Sequence, residues 1–373
     1  MKKFIISLIV FLLIPVTVYS AQFDSEEYND TLSNYDLSFF EDTLDDSSYD
    51  MLKELGLDNF DYDAITSISF GDILNVFKNV LKEHSVSPVK SCFTVLLFVV
   101  LSCFIHSFRN DDSLSQTYSA VSALVITACV LSKLTSTITT CVASVSIAGD
   151  FIYAFVPVFC IIVASSGGIT TSFSTNSMLL MLSQGLSFLS SNVFMPCINC
   201  FLALGICSSL RYELHLSKLV SSLKRIITTC ISFVCGVFVS VLSLKTAVSS
   251  RADLLGLRSI RFAVNSVVPV IGSSISEGLL SIQAYSSLIK SSVGVVGIVA
   301  VCLVFLPALL EVVIWRIALS VCVIVSDLFG DNSVSSVLNA FREAMLLANV
   351  ILILSLVTTV ISIGILVASR GGA

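Results

Sequence analysis

From Cys92 onward the sequence is a succession of long apolar runs, and that pattern leaves few folds open. The runs cover about residues 91–108, 115–132, 151–166, 178–210, 226–244, 291–310, 312–329 and 344–368. A helix needs roughly 20 apolar residues to cross the hydrocarbon core of a bilayer. Inside that core every backbone N–H and C=O must find a protein partner, so a spanning segment is a helix or a strand of a closed barrel. The alternating pattern of a barrel strand is absent. The sequence therefore predicts an all-α polytopic integral membrane protein with about six to nine transmembrane helices. The 178–210 run is long enough for two tilted passes or a broken hairpin, with Asn192, Pro196 and Asn199 near its middle.

Charge supports this class. Only 12% of the 373 residues are charged, about half the usual share of a soluble domain, so most of the surface does not face water. The charges are also segregated. Fourteen of the 26 acids lie between Asp24 and Asp63, where Lys53 is the one basic residue; from Ala64 onward 17 Lys and Arg face 12 acids. An acidic head precedes a mildly basic, apolar body. Neither part carries the clustered cations and interleaved aromatics of a nucleic-acid binder.

The N-terminus reads as an export signal. Lys2-Lys3 precedes the apolar run Phe4–Val18, and Val18 and Ser20 suit positions −3 and −1 of a cleavage site. Residues 1–20 are thus expected to be a signal peptide, and 21–66 an acidic segment placed outside the cytoplasm. The aromatic density of that segment is too high for a purely solvating tail, and a small helical or partly disordered unit can order against a partner. Residues 67–88 carry apolar side chains at 70, 73, 74, 77, 80 and 81, the spacing of a one-faced surface helix. The multi-span domain then occupies 89–373. Its cations cluster at 211–225 and 245–261, on both sides of the 226–244 run. Cations favour the cytoplasmic side, so a single crossing by that run sets one cluster against the rule.

No enzyme constellation emerges. His84, His106 and His215 lack neighbours at ligand spacing, Gly167-Gly168 is not followed by a GK[ST] phosphate loop, and no serine sits in GxSxG. All twelve cysteines lie in apolar stretches. Cys197 and Cys200 have CxxC spacing but no companion pair, so packing thiols are expected. No cofactor and no metal are expected.

The most unusual stretch is Lys245–Lys290. Arg251, Arg258 and Arg261 share a helix face, as on a basic surface helix. Val267-Val268-Pro269-Val270-Ile271-Gly272 then interrupts an apolar run, and a broken or re-entrant segment is expected near 262–284. Freed backbone groups at such breaks need protein or water partners, and transporters build substrate sites there. Ionisable residues at membrane depth are costly and face a cavity or a partner. Arg261, Asn265, Pro269, Gly272, Glu277 and Lys290 are therefore candidates for a polar path or a subunit contact, with Lys290 snorkelling to the headgroups as the plainer reading. Glu311 and Arg316 are weaker candidates. They sit between two apolar runs and lie about 140° apart around a helix, which suggests a turn at the membrane interface. Small residues throughout the spans allow close helix packing, in a homo-oligomer or within one chain.

This segment resembles the stage III sporulation protein AE family. The matching positions are Arg261, Phe262, Ala263, Asn265, Pro269, Val270, Ile271, Gly272, Ser276 and Glu277, followed by Leu288–Gly294 and Phe329-Gly330-Asp331. The resemblance implies a non-enzymatic part of the sporulation channel complex, in the mother-cell membrane around the engulfed forespore. The other stage III sporulation membrane proteins would be its partners, alongside membrane lipid, and the family carries no catalytic residues over to this chain. The competing expectation is a stand-alone secondary transporter with its substrate site at Pro269–Gly272. Its paired repeat is missing: Phe155-Val-Pro-Val158 and Phe194-Met-Pro196 are weak echoes of the break.

Overall fold

A computed structural model describes residues 25–107, 112–166, 169–210, 218–234, 236–238, 240–241, 244, 272–329 and 331–368. The expected signal peptide and the Arg261–Pro269 motif lie outside them. Among the described residues there is no strand. Four short helices, α1 (Ser25–Leu32), α2 (Phe39–Thr43), α3 (Asp46–Glu54) and α4 (Tyr62–Ser67), form the acidic head. The body consists of α5 (Phe70–Ser107), α6 (Asp112–Ser165), α7 (Ile169–Leu189), α8 (Met195–Leu210), α9 (Lys218–Phe238), α10 (Gly272–Leu328) and α11 (Asn332–Ala368). Six helical stretches among the described residues are long and apolar enough to cross a membrane: Gly71–Ser102, Tyr118–Ser165, Leu180–Ser208, Lys218–Phe238, Ala284–Leu328 and Ser333–Val367. The chain is an all-α polytopic membrane protein.

Eight apolar runs become six spans because charge alone does not end a helix. The runs 115–132 and 151–166 both lie on α6, and 291–310 and 312–329 both lie on α10. The backbone ladder continues through Lys133 and Glu311, whose side chains project from an intact helix. The turn expected at Glu311–Arg316 is absent. At about 1.5 Å per residue, the 54 residues of α6 and 57 of α10 measure roughly 81 and 86 Å. A hydrocarbon core is about 30 Å thick, and a tilt of about 40° lengthens the path only to roughly 39 Å. Each helix therefore continues well past any single crossing. Likewise, α5 carries the expected surface stretch and the first apolar run without interruption.

The 178–210 run does not fold back. A five-residue π turn, Ser190–Phe194, joins α7 to α8 as one rod. Pro196 has no N–H to donate, and the Met195 N–H reaches five residues back to the Ser190 carbonyl. The Asn192 side chain donates to the Phe188 carbonyl at 3.2 Å. The local widening accommodates the proline without breaking the rod.

The helices α10 and α11 form an antiparallel hairpin closed by Asp331, whose residue is fully buried. Its carboxylate accepts from the Val334 N–H at 3.2 Å, and its carbonyl accepts from the Ser326 hydroxyl at 3.1 Å. This is N-cap chemistry, a short acidic side chain answering a free N–H of the first helical turn. The Ser335 hydroxyl donates to Asp327 across the same corner. From there α11 runs through the centre of the molecule, packed on α10, α6 and α8.

Glycines set the closest approaches, as expected where small residues replace the hydrophobic drive between helices. A Cβ built on Gly297 of α10 would lie 2.6 Å from Phe155 Cε2 of α6, and one on Gly205 of α8 would lie 2.6 Å from Ala340 Cβ of α11.

The acidic head is folded against this body. Phe40, Leu52 and Leu57 are buried, and the Tyr28 hydroxyl donates to the Phe60 carbonyl at 2.9 Å. Phe40 meets Phe60 and Phe151 with ring centroids 4.8 and 5.1 Å apart, while Phe39 lies 6.0 Å from Phe155. Phe151, Phe155 and Phe159 are four residues apart on α6 and form one aromatic ladder. The carboxylates of Glu27, Asp30, Asp36, Glu41, Asp42, Asp46, Asp50, Glu54 and Asp61 belong to exposed residues. The aromatics of the head thus face the bundle and its acids face outward.

Candidate functional site

Of the residues singled out in the sequence, Arg261, Asn265 and Pro269 lie outside the described residues. Gly272 begins α10, and Glu277 lies in its first turns. Lys290 is buried, with only 4% of its surface exposed, so it does not snorkel from a lipid-facing surface. Lys290 and Glu311 stand 21 residues apart on α10, or about 31 Å of helix. They cannot share one site.

Glu311 is instead part of a charged layer that crosses the bundle. The Thr137 hydroxyl of α6 donates to Glu311 Oε1 at 2.6 Å. Thr137 is fully buried, and the Lys133 carbonyl one turn back, at 3.2 Å, is the alternative acceptor for its single hydroxyl proton. Arg316 lies five residues further along α10, where Glu343 and Arg342 of α11 act on it electrostatically. Glu343 in turn holds Lys224 of α9 at 2.5 Å and Arg342 at 3.8 Å. Two acids and three cations from α9, α10 and α11 therefore meet beside the α6–α10 contact. These charges are half-buried rather than sealed; the side chains of Lys224, Arg342 and Glu343 are 37%, 35% and 26% exposed.

Sequence reasoning found Glu311 and Arg316 but missed Thr137, Lys224 and Glu343. Lys224 was visible only as one of a basic cluster. Glu343 was overlooked because it follows Arg342 at the start of the last apolar run and looks like an ordinary helix-end charge. Its pairing with Lys224 spans more than a hundred residues and leaves no local trace.

A cavity of about 10 Å³ lies further along the same bundle, lined by Gly149, Ser183, Ser187, Phe305, Ser355 and Thr359 among others. That is the lower limit for one water molecule, far below the size of a pocket for an organic substrate. The described cysteines, Cys197 and Cys200 included, are free thiols. No group of three His, Cys, Asp or Glu able to hold a metal occurs among the described residues.

The family model described as Stage III sporulation protein AE matches residues 58–370, more than half of the chain. Stage III sporulation protein AE of Bacillus subtilis (strain 168) is 24% identical over 212 residues, which cover 57% of this chain and 53% of that protein. The alignment thus spans about half the length of that curated relative. No solved structure matches the chain. The match across the helical body shows that this polytopic membrane protein belongs to the stage III sporulation protein AE family, a membership that implies a role in sporulation.

Proposed function

We propose that the chain is a non-enzymatic membrane component of the sporulation channel complex that links mother cell and forespore. In this reading it sits in the mother-cell membrane around the forespore, its acidic head lies outside the cytoplasm, and it forms the base on which exported partner domains assemble. The observation that carries the reading is the docked head. Its aromatics are committed to the bundle, and its carboxylates are left outward on a folded surface rather than on a loose tail. Such a surface can present a fixed charge pattern to partners on that side. Family membership supports the biological setting.

The test is affinity purification of the tagged chain in mild detergent from sporulating cells. Specific recovery of the other stage III sporulation membrane proteins is the expected result. Recovery of the chain alone, stable and monodisperse, would overturn the complex reading.

A further inference from the structure

We infer that one level of the bundle is a cationic girdle that binds the phosphate headgroups of anionic lipids. The level follows from contacts already described. Thr137 beside Glu311 and Phe155 beside Gly297 make α6 and α10 antiparallel, so Lys133, one turn before Thr137, stands level with the region of Arg316. Lys224 reaches the same level through Glu343, which also acts on Arg316, and Arg225 follows it directly. Five cations from four helices, Lys133, Lys224, Arg225, Arg316 and Arg342, thus lie in one band.

Within this band Glu311 accepts from Thr137, and Glu343 is paired with Lys224 of α9 and with Arg342. The two carboxylates leave a positive excess among these five cations, and Lys133 and Arg225 belong to exposed residues. Exposed apolar residues lie close by in the sequence: Leu131 (36%), two before Lys133, and Ile226 (58%), directly after Arg225. Long cationic side chains directly beside apolar surface suit the boundary between acyl chains and headgroups. Hydrocarbon contacts the apolar neighbours, and lipid phosphate neutralises the cations. The inference rests on this band and is independent of the channel-complex reading.

The experiment uses the full purified chain in nanodiscs of phosphatidylcholine alone and of phosphatidylcholine mixed with phosphatidylglycerol, and reads the thermal unfolding midpoint. The expected result is a midpoint several degrees higher in the anionic discs. That rise should shrink as salt is added, since screening weakens exposed charges. It should be lost in the double variant K133Q/R225Q, and retained in K133R/R225K, which separates charge from folding damage. Equal midpoints in the two discs would overturn the inference. So would a phosphatidylglycerol rise that survives K133Q/R225Q, or an equal rise from inorganic phosphate added to phosphatidylcholine discs.

Discussion

Gly205 and Gly364 are both helical glycines in apolar helices, yet a methyl group would meet opposite fates at the two sites. At Gly205 it would sit 2.6 Å from the Cβ of Ala340, an atom with no torsion to swing it away; at Gly364 nothing lies within 4 Å. Gly205→Ala must push α8 from α11 and is expected to cost about 1–3 kcal/mol as overpacking. Gly364→Ala should be neutral or stabilising by up to about 1 kcal/mol through helix propensity. Thermal unfolding of both variants in one detergent checks the contrast, and similar behaviour would refute the close packing of α8 on α11. Thr137→Val keeps the shape of its side chain but removes the donor to Glu311. A loss of about 0.5–2 kcal/mol is expected from hydrogen-bond energies measured between membrane helices, with Thr137→Ser largely restoring stability.

Asp36, in the loop before α2, shows charge acting on backbone shape. Its carboxylate accepts from the Ser38 N–H at 3.1 Å and the Ser38 hydroxyl at 2.7 Å, and these bonds hold its pKa below the ordinary 3.8. A depressed carboxylate pKa means the folded turn favours the ionised form. Its contribution is therefore full above pH about 4 and is lost as pH falls through the lower folded value. Carboxyl-carbon NMR titration should show Ser38→Ala raising the Asp36 pKa toward the ordinary value. An unchanged pKa would sink this account.

Among the elements, the head meets α6 through Phe39 and Phe40 and also packs on α10, and Phe40 is where its own core joins the bundle. Phe40 is 2% exposed and touches Phe60 from the head as well as Phe151 from α6. Truncating a buried Phe to Ala costs about 3–5 kcal/mol, a large share of what a four-helix segment of this size can contribute to its own docking. Phe40→Ala is expected to release the head while leaving the α10–α11 hairpin in place. Limited proteolysis should then cut within residues 25–67 faster, with the body fragment unchanged. Cleavage at the parental rate would mean the aromatic ladder does not hold the head.

The whole-molecule question is orientation. The expected export signal and the exposed acidic surface both favour a head outside the cytoplasm. An epitope inserted at exposed Ser47 should be digested by protease added to intact protoplasts expressing the chain. Full protection until lysis would reverse the assignment.

Class and helical content were legible from sequence because they depend on short-range physics. Long apolar runs partition into lipid, and in lipid the backbone satisfies itself within each helix. The acidic head was legible as a separate stretch, since its composition changes abruptly at Ala64. Three features were not legible: runs that share a helix across Lys133 and Glu311, the π turn that carries the chain past Pro196, and the docking of Phe39 and Phe40 on α6. The first two depend on whether a continuing backbone ladder outweighs a charge or a proline, which hydropathy does not measure. The third joins side chains more than a hundred residues apart, as do Thr137 with Glu311 and Lys224 with Glu343. By itself the sequence determined that this chain folds as membrane helices with an acidic head. Only the tertiary structure decided which charges share a level and which face the head buries, because both depend on packing between helices far apart in the chain.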